Sequence, residues 1–300
     1  MASGARARPF LDPAVVMRLG TLELKARTVV EGLLSGLHRS PFKGFSVEFA
    51  EYRQYIPGDD LSTIDWKVYA RSDRHYVKKF EEETNLDCHV LLDVSGSMAY
   101  GSRGVTKCEY ATCLAASLGY LMNRQRDAVG LAAFDERIVT MLPASARPGH
   151  LRALLLALDR LEVGAETNVA RPLHQLADTL SKRGMVVLIS DLLDEPERVI
   201  RALKHFQFRG TDVIVFHVLD PDEIEFPFER ATRFEDLETY EEVMAVPSIV
   251  REHYMRAIGG LIDRYKRELG ASGIDYHLLS TAQPLEMALL AYLSTRSQTL

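Results

Sequence analysis

Three unbroken apolar runs, Cys88–Asp93, Met185–Asp191 and Val213–Leu219, constrain this chain more than any other feature. A strand with one wet face alternates apolar and polar residues, whereas a continuous run needs cover on both faces. Helix-length segments separate the runs. Thr106–Arg124 carries Tyr110, Leu114, Leu118 and Leu121 on one face, and helical spacing also marks about Gly149–Leu161, Val169–Lys182, Glu197–Phe206, Ser248–Leu269 and Pro284–Ser294. Ala128–Phe134 and Arg137–Leu142 read as two strands joined by a tight turn at Asp135-Glu136, and Asp275–Leu279 as a last strand. This order predicts an α/β fold with a doubly wound, mainly parallel, Rossmann-type sheet over residues 85–300.

Residues 1–84 have a different texture and predict an N-terminal helical and β-rich extension. Apolar residues from Leu11 to Leu37 recur at helical spacing, interrupted by Gly20 and Gly32, which predicts one or two helices. Phe45, Val47 and Phe49 then alternate with polar residues. Ile56-Pro57-Gly58-Asp59-Asp60 reads as a turn, and Tyr69–Phe80 as a second extended stretch.

Composition excludes several classes. A formal net charge of −6 argues against a general nucleic-acid binder. The first eighty residues are nevertheless rich in Lys and Arg, while residues 220–242 hold ten Asp/Glu against Arg230 and Arg233. The acidic run from Asp220 to Glu225 reads first as a solvated loop, and otherwise as a place for a second cation or a basic partner. Three cysteines, Cys88, Cys108 and Cys113, form no C-x-x-C pair, so neither disulfides nor structural zinc is expected. His89 and His217 lie within strand runs and read as core residues. No apolar stretch reaches membrane-spanning length, and no apolar run follows Arg6 and Arg8, so a cytoplasmic location is expected.

In an open α/β sheet, ligands bind beyond the C-terminal strand ends. Three oxygen-rich loops are expected there: Asp93-Val94-Ser95-Gly96-Ser97, Glu166-Thr167-Asn168 and Ser190-Asp191-Leu192-Leu193-Asp194. They supply Asp93, Ser95, Ser97, Thr167 and Asp191, hard oxygen donors of the kind Mg²⁺ prefers; Mn²⁺ and Ca²⁺ accept the same donors. In an extended loop, Asp93, Ser95 and Ser97 would face one centre, with Gly96 permitting a sharp turn. Two carboxylates and three neutral hydroxyls bind a divalent cation without saturating its charge. If one carboxylate acts through water, the ion keeps an open position with affinity for an Asp or Glu of another protein.

Asp-x-Ser-x-Ser followed by a distant Thr and Asp resembles the metal-ion-dependent adhesion site of von Willebrand factor A-type domains. That resemblance implies direct metal contact by Ser95, Ser97 and Thr167, and direct or water-mediated contact by Asp93 and Asp191. Upstream, Glu51-Tyr52-Arg53-Gln54-Tyr55-Ile56-Pro57-Gly58-Asp59-Asp60-Leu61-Ser62-Thr63-Ile64-Asp65-Trp66, then Ala70-Arg71 and Val77-Lys78-Lys79-Phe80-Glu81, resembles domain-of-unknown-function family 58. Asp220-Pro221-x-Glu223 resembles it too, and Ser62 stands where the family pattern has an arginine. The resemblance implies a non-enzymatic adaptor for a MoxR-type AAA+ ATPase, acting in chaperone-like remodelling or maturation of other proteins. The chain has no Gly-x-x-x-x-Gly-Lys-[Ser/Thr] loop, so ATP hydrolysis would belong to that partner.

Three rival readings stand beside this one. A Mg²⁺-dependent phosphotransferase or hydrolase would use Asp93 as nucleophile, but Ser95 occupies the position where a second carboxylate is wanted, and no Gly-x-Ser-x-Gly is present. A nucleic-acid module would use the basic N-terminal third, which lacks an aromatic-rich basic motif. The last is a structural A-type domain with an unused metal site.

Overall fold

A computed structural model describes residues 10–37, 51–54, 76–79, 87–164, 168–180, 184–237 and 241–299. The chain forms two compact units, Met1–Arg39 with Leu86–Leu300, and Ser40–Asn85. In the smaller unit the described residues are two antiparallel strands, β1 (Glu51–Gln54) and β2 (Tyr76–Lys79), with Glu51 opposite Lys79. The turn at residues 56–60 and the segment through Trp66 lie outside the described residues.

The larger unit begins with α1 (Pro13–Met17) and α2 (Leu22–Leu37) and continues through β3 (Asp87–Asp93) to α3 (Lys107–Arg124). Next come β4 (Ala128–Phe134), β5 (Ile138–Ser145), α4 (His150–Asp159), α5 (Ala170–Thr179), β6 (Gly184–Ser190), α6 (Pro196–Phe208) and β7 (Thr211–Leu219). The chain then runs through α7 (Pro221–Glu225), β8 (Thr232–Glu235), β9 (Glu242–Ala245), α8 (Pro247–Gly270), β10 (Asp275–Ser280) and α9 (Leu285–Thr299). Six strands form one sheet in the order β10-β7-β6-β3-β4-β5, all pairs parallel except the β4–β5 hairpin. The predicted α/β sheet is therefore present.

Burial explains the apolar runs. Val186 to Ser190 of β6 and Val213 to Leu219 of β7 are buried without a break, so both strand faces are covered. On one face Leu91, Val186, Leu188, Val213 and Val215 pack with Leu173 and Leu176 of α5, Val199 and Leu203 of α6, and Tyr265 and Leu269 of α8. On the other, α3 contacts β3 and β4, and α9 contacts β7 and β10. Helix α2 packs on α3 and α9 and so belongs to the larger unit. The sequence had grouped it with the β-rich stretch; its buried Ala26, Val29, Val30 and Leu33 are instead what attach it to the larger core.

Helix starts follow local chemistry. Thr106 and Glu109 form a reciprocal capping box at α3, and Asp220 and Glu223 do the same at α7. Two features were not expected. Residues 96–99 form a 3-10 turn rather than an extended loop, and β8 and β9 form a small antiparallel hairpin. Among the described residues, no helix is long and apolar enough to cross a membrane.

Candidate metal centre

The chain leaves β3 for β4 on one side and later places β6 on the other, so the sheet reverses direction of growth between β3 and β6. That crevice is where open α/β sheets bind ligands. Leu92 of β3 stands opposite Ile189 of β6, which brings the strand ends bearing Asp93 and Asp191 side by side. Both carboxylates are fully buried.

Asp93 is held by three contacts: Ser190 Oγ donates to Oδ2 at 2.5 Å, the Ser95 amide donates to Oδ1 at 2.9 Å, and its strand pairs with Phe134 of β4. Burial, then the charge of Asp191, pushes the Asp93 carboxyl up to about 7, against the opposing hydrogen bonds from Ser190 and Ser95. Ser95 Oγ and Ser97 Oγ lie 3.2 Å apart. Adjacent ligands on an octahedral Mg²⁺ sit roughly 3 Å apart, so the hydroxyl pair suits neighbouring coordination positions. The 3-10 turn, not an extended strand, sets that spacing, and Gly96 is not left-handed.

Asp191 follows β6 in a loop held by an unusual backbone. Leu192 is a non-glycine residue at φ 53°, a conformation that persists only when surroundings impose it. Its side chain is fully buried, its amide donates to Ser190 Oγ at 2.9 Å, and its carbonyl accepts from Tyr265 Oη at 3.2 Å.

Thr167 lies outside the described residues, as does Glu166. Residues on both sides of 165–167 are tied to the other two loops. The Gly164 amide donates to the Val94 carbonyl at 2.6 Å, and the Val169 and Ala170 amides donate to Asp194 Oδ2 at 2.9 and 3.2 Å. A side chain at Gly164 would not fit, because its Cβ would fall 2.5 Å from Asp135 Oδ2.

Sequence reasoning missed the group that most alters the electrostatics. Lys107, at the first position of α3, is fully buried and donates to Asp191 Oδ2 at 2.8 Å and to Glu223 Oε1 at 2.6 Å. Burial opposes its charge, yet Asp191 and then Glu223 hold its pKa above the ordinary lysine value. The only local hint was a cation in a helix's first turn, against the helix dipole. Asp220, read as part of a solvated loop, is buried and accepts from the Ser102 amide at 3.0 Å and from Thr281 Oγ1 at 3.3 Å. Among the described residues no three His, Cys, Asp or Glu side chains group to hold a metal, so the candidate donor set depends on hydroxyls. The three cysteines are free thiols.

Fold and site together define an α/β domain with a buried, hydroxyl-rich acidic crevice at its topological switch point. The chain belongs to the family described as "Protein of unknown function DUF58", whose model matches residues 51–259. An uncharacterized protein of Mycobacterium tuberculosis is 29% identical over 219 residues, covering 72% of this chain and 68% of that protein. Among solved structures, an aerotolerance-related membrane protein from Bacteroides fragilis superposes with a TM-score of 0.51 at 18% identity, over 72% of this chain and all of that one, which supports the fold. The conserved hypothetical protein BatB from Bacteroides thetaiotaomicron gives 0.49 at 14% identity, over 72% and 100% of the two chains.

Proposed function

We propose that this chain is a metal-dependent protein-binding adaptor with a von Willebrand factor A-type site, acting by binding rather than by catalysing a reaction. Asp93, Ser95, Ser97, Thr167 and Asp191 would hold Mg²⁺. When bound, the ion would supply a positive centre able to accept a carboxylate from a partner protein. The observation that carries the reading is the meeting of the Asp93 and Asp191 loops at adjacent strand ends, with the Ser95 and Ser97 hydroxyls 3.2 Å apart. The buried carboxylates stabilise a cation there, and the protein's own lysine answers only part of their charge.

Calorimetric titration of MgCl₂ into the full chain and into its Asp93→Ala and Thr167→Ala variants tests the site. Saturable heats in the wild type that vanish in both variants support it; equal heats in all three sink it. The family resemblance further points to a MoxR-type AAA+ ATPase as the partner. Co-purification of such an ATPase with tagged wild-type chain in Mg²⁺, and its loss in EDTA, is the expected result. Capture indifferent to chelation removes the metal from the interaction.

A further inference from the structure

Beside the candidate metal centre the fold carries a second concavity, of about 470 Å³. Its wall is aromatic, built from Tyr100, Phe226, Phe228, Phe234 and Tyr254, with Asp222, Glu223 and His253 also lining it. The hairpin β8–β9 supplies Phe234 and Ala245, and the first turns of α8 supply Val250 and Tyr254. The rings form one cluster. Phe226 lies 4.6 Å from Tyr254 and 5.1 Å from Phe228, and Phe228 meets Phe234 edge-on at 5.1 Å. Phe226 takes a left-handed backbone (φ 47°) at the end of α7, a strained conformation for a bulky residue, and its ring is buried.

We propose that this pocket receives the arginine side chain of a protein partner, the guanidinium lying among the aromatic rings and paired with Asp222. Three observations carry the assignment. First, the two carboxylates of the lining differ. Glu223 is spent on Lys107 at 2.6 Å and on the Asp220 amide at 2.7 Å, whereas the Asp222 carboxylate has no partner among the described residues. An unanswered carboxylate beside aromatic faces is the chemistry that selects a flat, weakly hydrated cation. Second, the field in the pocket is negative. Burial, then Asp222, Asp220 and Glu223, pushes the Tyr100 hydroxyl up to about 12. The surrounding stretch, residues 220–242, carries ten acidic residues against two arginines. Third, the same cluster already tolerates one guanidinium: Arg251 Cζ stands 5.8 Å from the Phe226 centroid and its Nη2 donates to the Phe228 carbonyl.

The rim identifies the source of the arginine as a polypeptide. Val246 and Ile249, next in the chain to the lining residues Ala245 and Val250, are exposed at the β9–α8 corner, with 46% and 70% of their surface open. Apolar residues next to a charged pocket suit a segment that places apolar neighbours beside its arginine. A free small guanidine would leave that rim unused.

The test uses the full chain in EDTA, so its outcome is independent of whether the Asp93 site holds a metal. Tyrosine and phenylalanine NMR signals are followed during titration with agmatine, with isopentanol, and with the capped tripeptide Leu-Arg-Leu. Saturable binding of agmatine is expected, with the tripeptide at least roughly fivefold tighter through the apolar rim. Asp222→Asn should weaken both by roughly fivefold, and Ile249→Ser should weaken only the tripeptide. Ile249 is exposed and Asp222 half-buried, and thermal melts of both variants confirm that they fold. Isopentanol binding as tightly as agmatine, no saturation by agmatine, or affinity unchanged in Asp222→Asn overturns the proposal. Agmatine equalling the tripeptide overturns the polypeptide source.

Discussion

Lys107 Nζ stands 2.8 Å from Asp191 Oδ2, with both side chains wholly withdrawn from solvent. The same ammonium reaches Glu223 at 2.6 Å, so one cation serves a carboxylate of the proposed metal site and a carboxylate of the aromatic pocket. The pair orients Asp191 from the side and removes part of its negative charge. A site so arranged would bind a divalent cation less tightly than two unpaired carboxylates would. On the proposed reading, it would also leave a bound ion more charge with which to attract an acidic partner.

Replacing Lys107 by Met should expose the cost of this arrangement. Asp191 and Glu223 would be left buried without their cation, a change that typically costs about 3–5 kcal/mol. Urea unfolding in EDTA reads that loss directly. In saturating Mg²⁺ part of it should return, since the ion would restore positive charge beside Asp191. Identical losses with and without Mg²⁺ would show that Asp191 lies outside the metal's reach.

The acid limb of stability should trace to His217. Burial, against the opposing influence of Asp191, lowers its imidazole to about 4 from an ordinary 6.5. Its Nδ1 lies 2.6 Å from Tyr276 Oη, and its Nε2 has no hydrogen-bond partner among the described residues. The folded state therefore resists a proton that the unfolded chain accepts. The stabilising contribution is complete above pH 6.5 and drains away as pH falls toward 4, on the order of 3 kcal/mol in all. Asp93, raised to about 7, gains stability over the same range in both proteins, so the difference between them is the readout. From pH 7 to pH 5 the change in urea stability should be about 2 kcal/mol less favourable in the wild type than in His217→Phe. Equal changes would assign the acid sensitivity elsewhere, with His89 and His277 the next candidates because burial lowers both.

What was legible in the sequence was whatever repeats along the chain. Val186 to Ser190 had to be covered on both faces, and the runs ending at Asp93 and Asp191 placed those carboxylates at strand ends. Strand order was not written in any period, so the adjacency of β3 and β6 had to come from the sheet itself. Lys107 was illegible for a related reason. Its partners stand 84 and 116 residues away, and a lysine at a helix start looks like any solvated one. The hairpin β8–β9 was hidden because its strands have only four residues each and lie in an acidic stretch with no clean alternation.

Asp194 serves as a borrowed cap. Its Oδ2 accepts the Val169 and Ala170 amides at the start of α5 from another loop, and Val169 itself offers no side-chain cap. Asp194→Ala should cost about 1 kcal/mol in urea unfolding, the usual worth of a helix cap. It should also weaken Mg²⁺ binding by calorimetry, because the segment carrying Thr167 would lose its tie to the Asp191 loop. Unchanged Mg²⁺ affinity alongside reduced stability would mean that this tie is structural only.

Gly164 tests the opposite end of that segment. Its amide reaches the Val94 carbonyl at 2.6 Å, and its missing side chain leaves room for Asp135. An alanine Cβ would come within 2.5 Å of Asp135 Oδ2 and 2.8 Å of Asp135 Cβ, so either the turn at Asp135 or the residue-164 backbone must move. Overpacking of this kind costs about 1–3 kcal/mol. Gly164→Ala should therefore lower both stability and Mg²⁺ affinity. Pairing it with Asp135→Gly removes the obstructing atoms, and Mg²⁺ affinity should recover even though the hydrogen bond from the Arg137 amide to Asp135 is lost. If affinity stays low in the double variant, the damage comes from the glycine's own backbone rather than from crowding against Asp135.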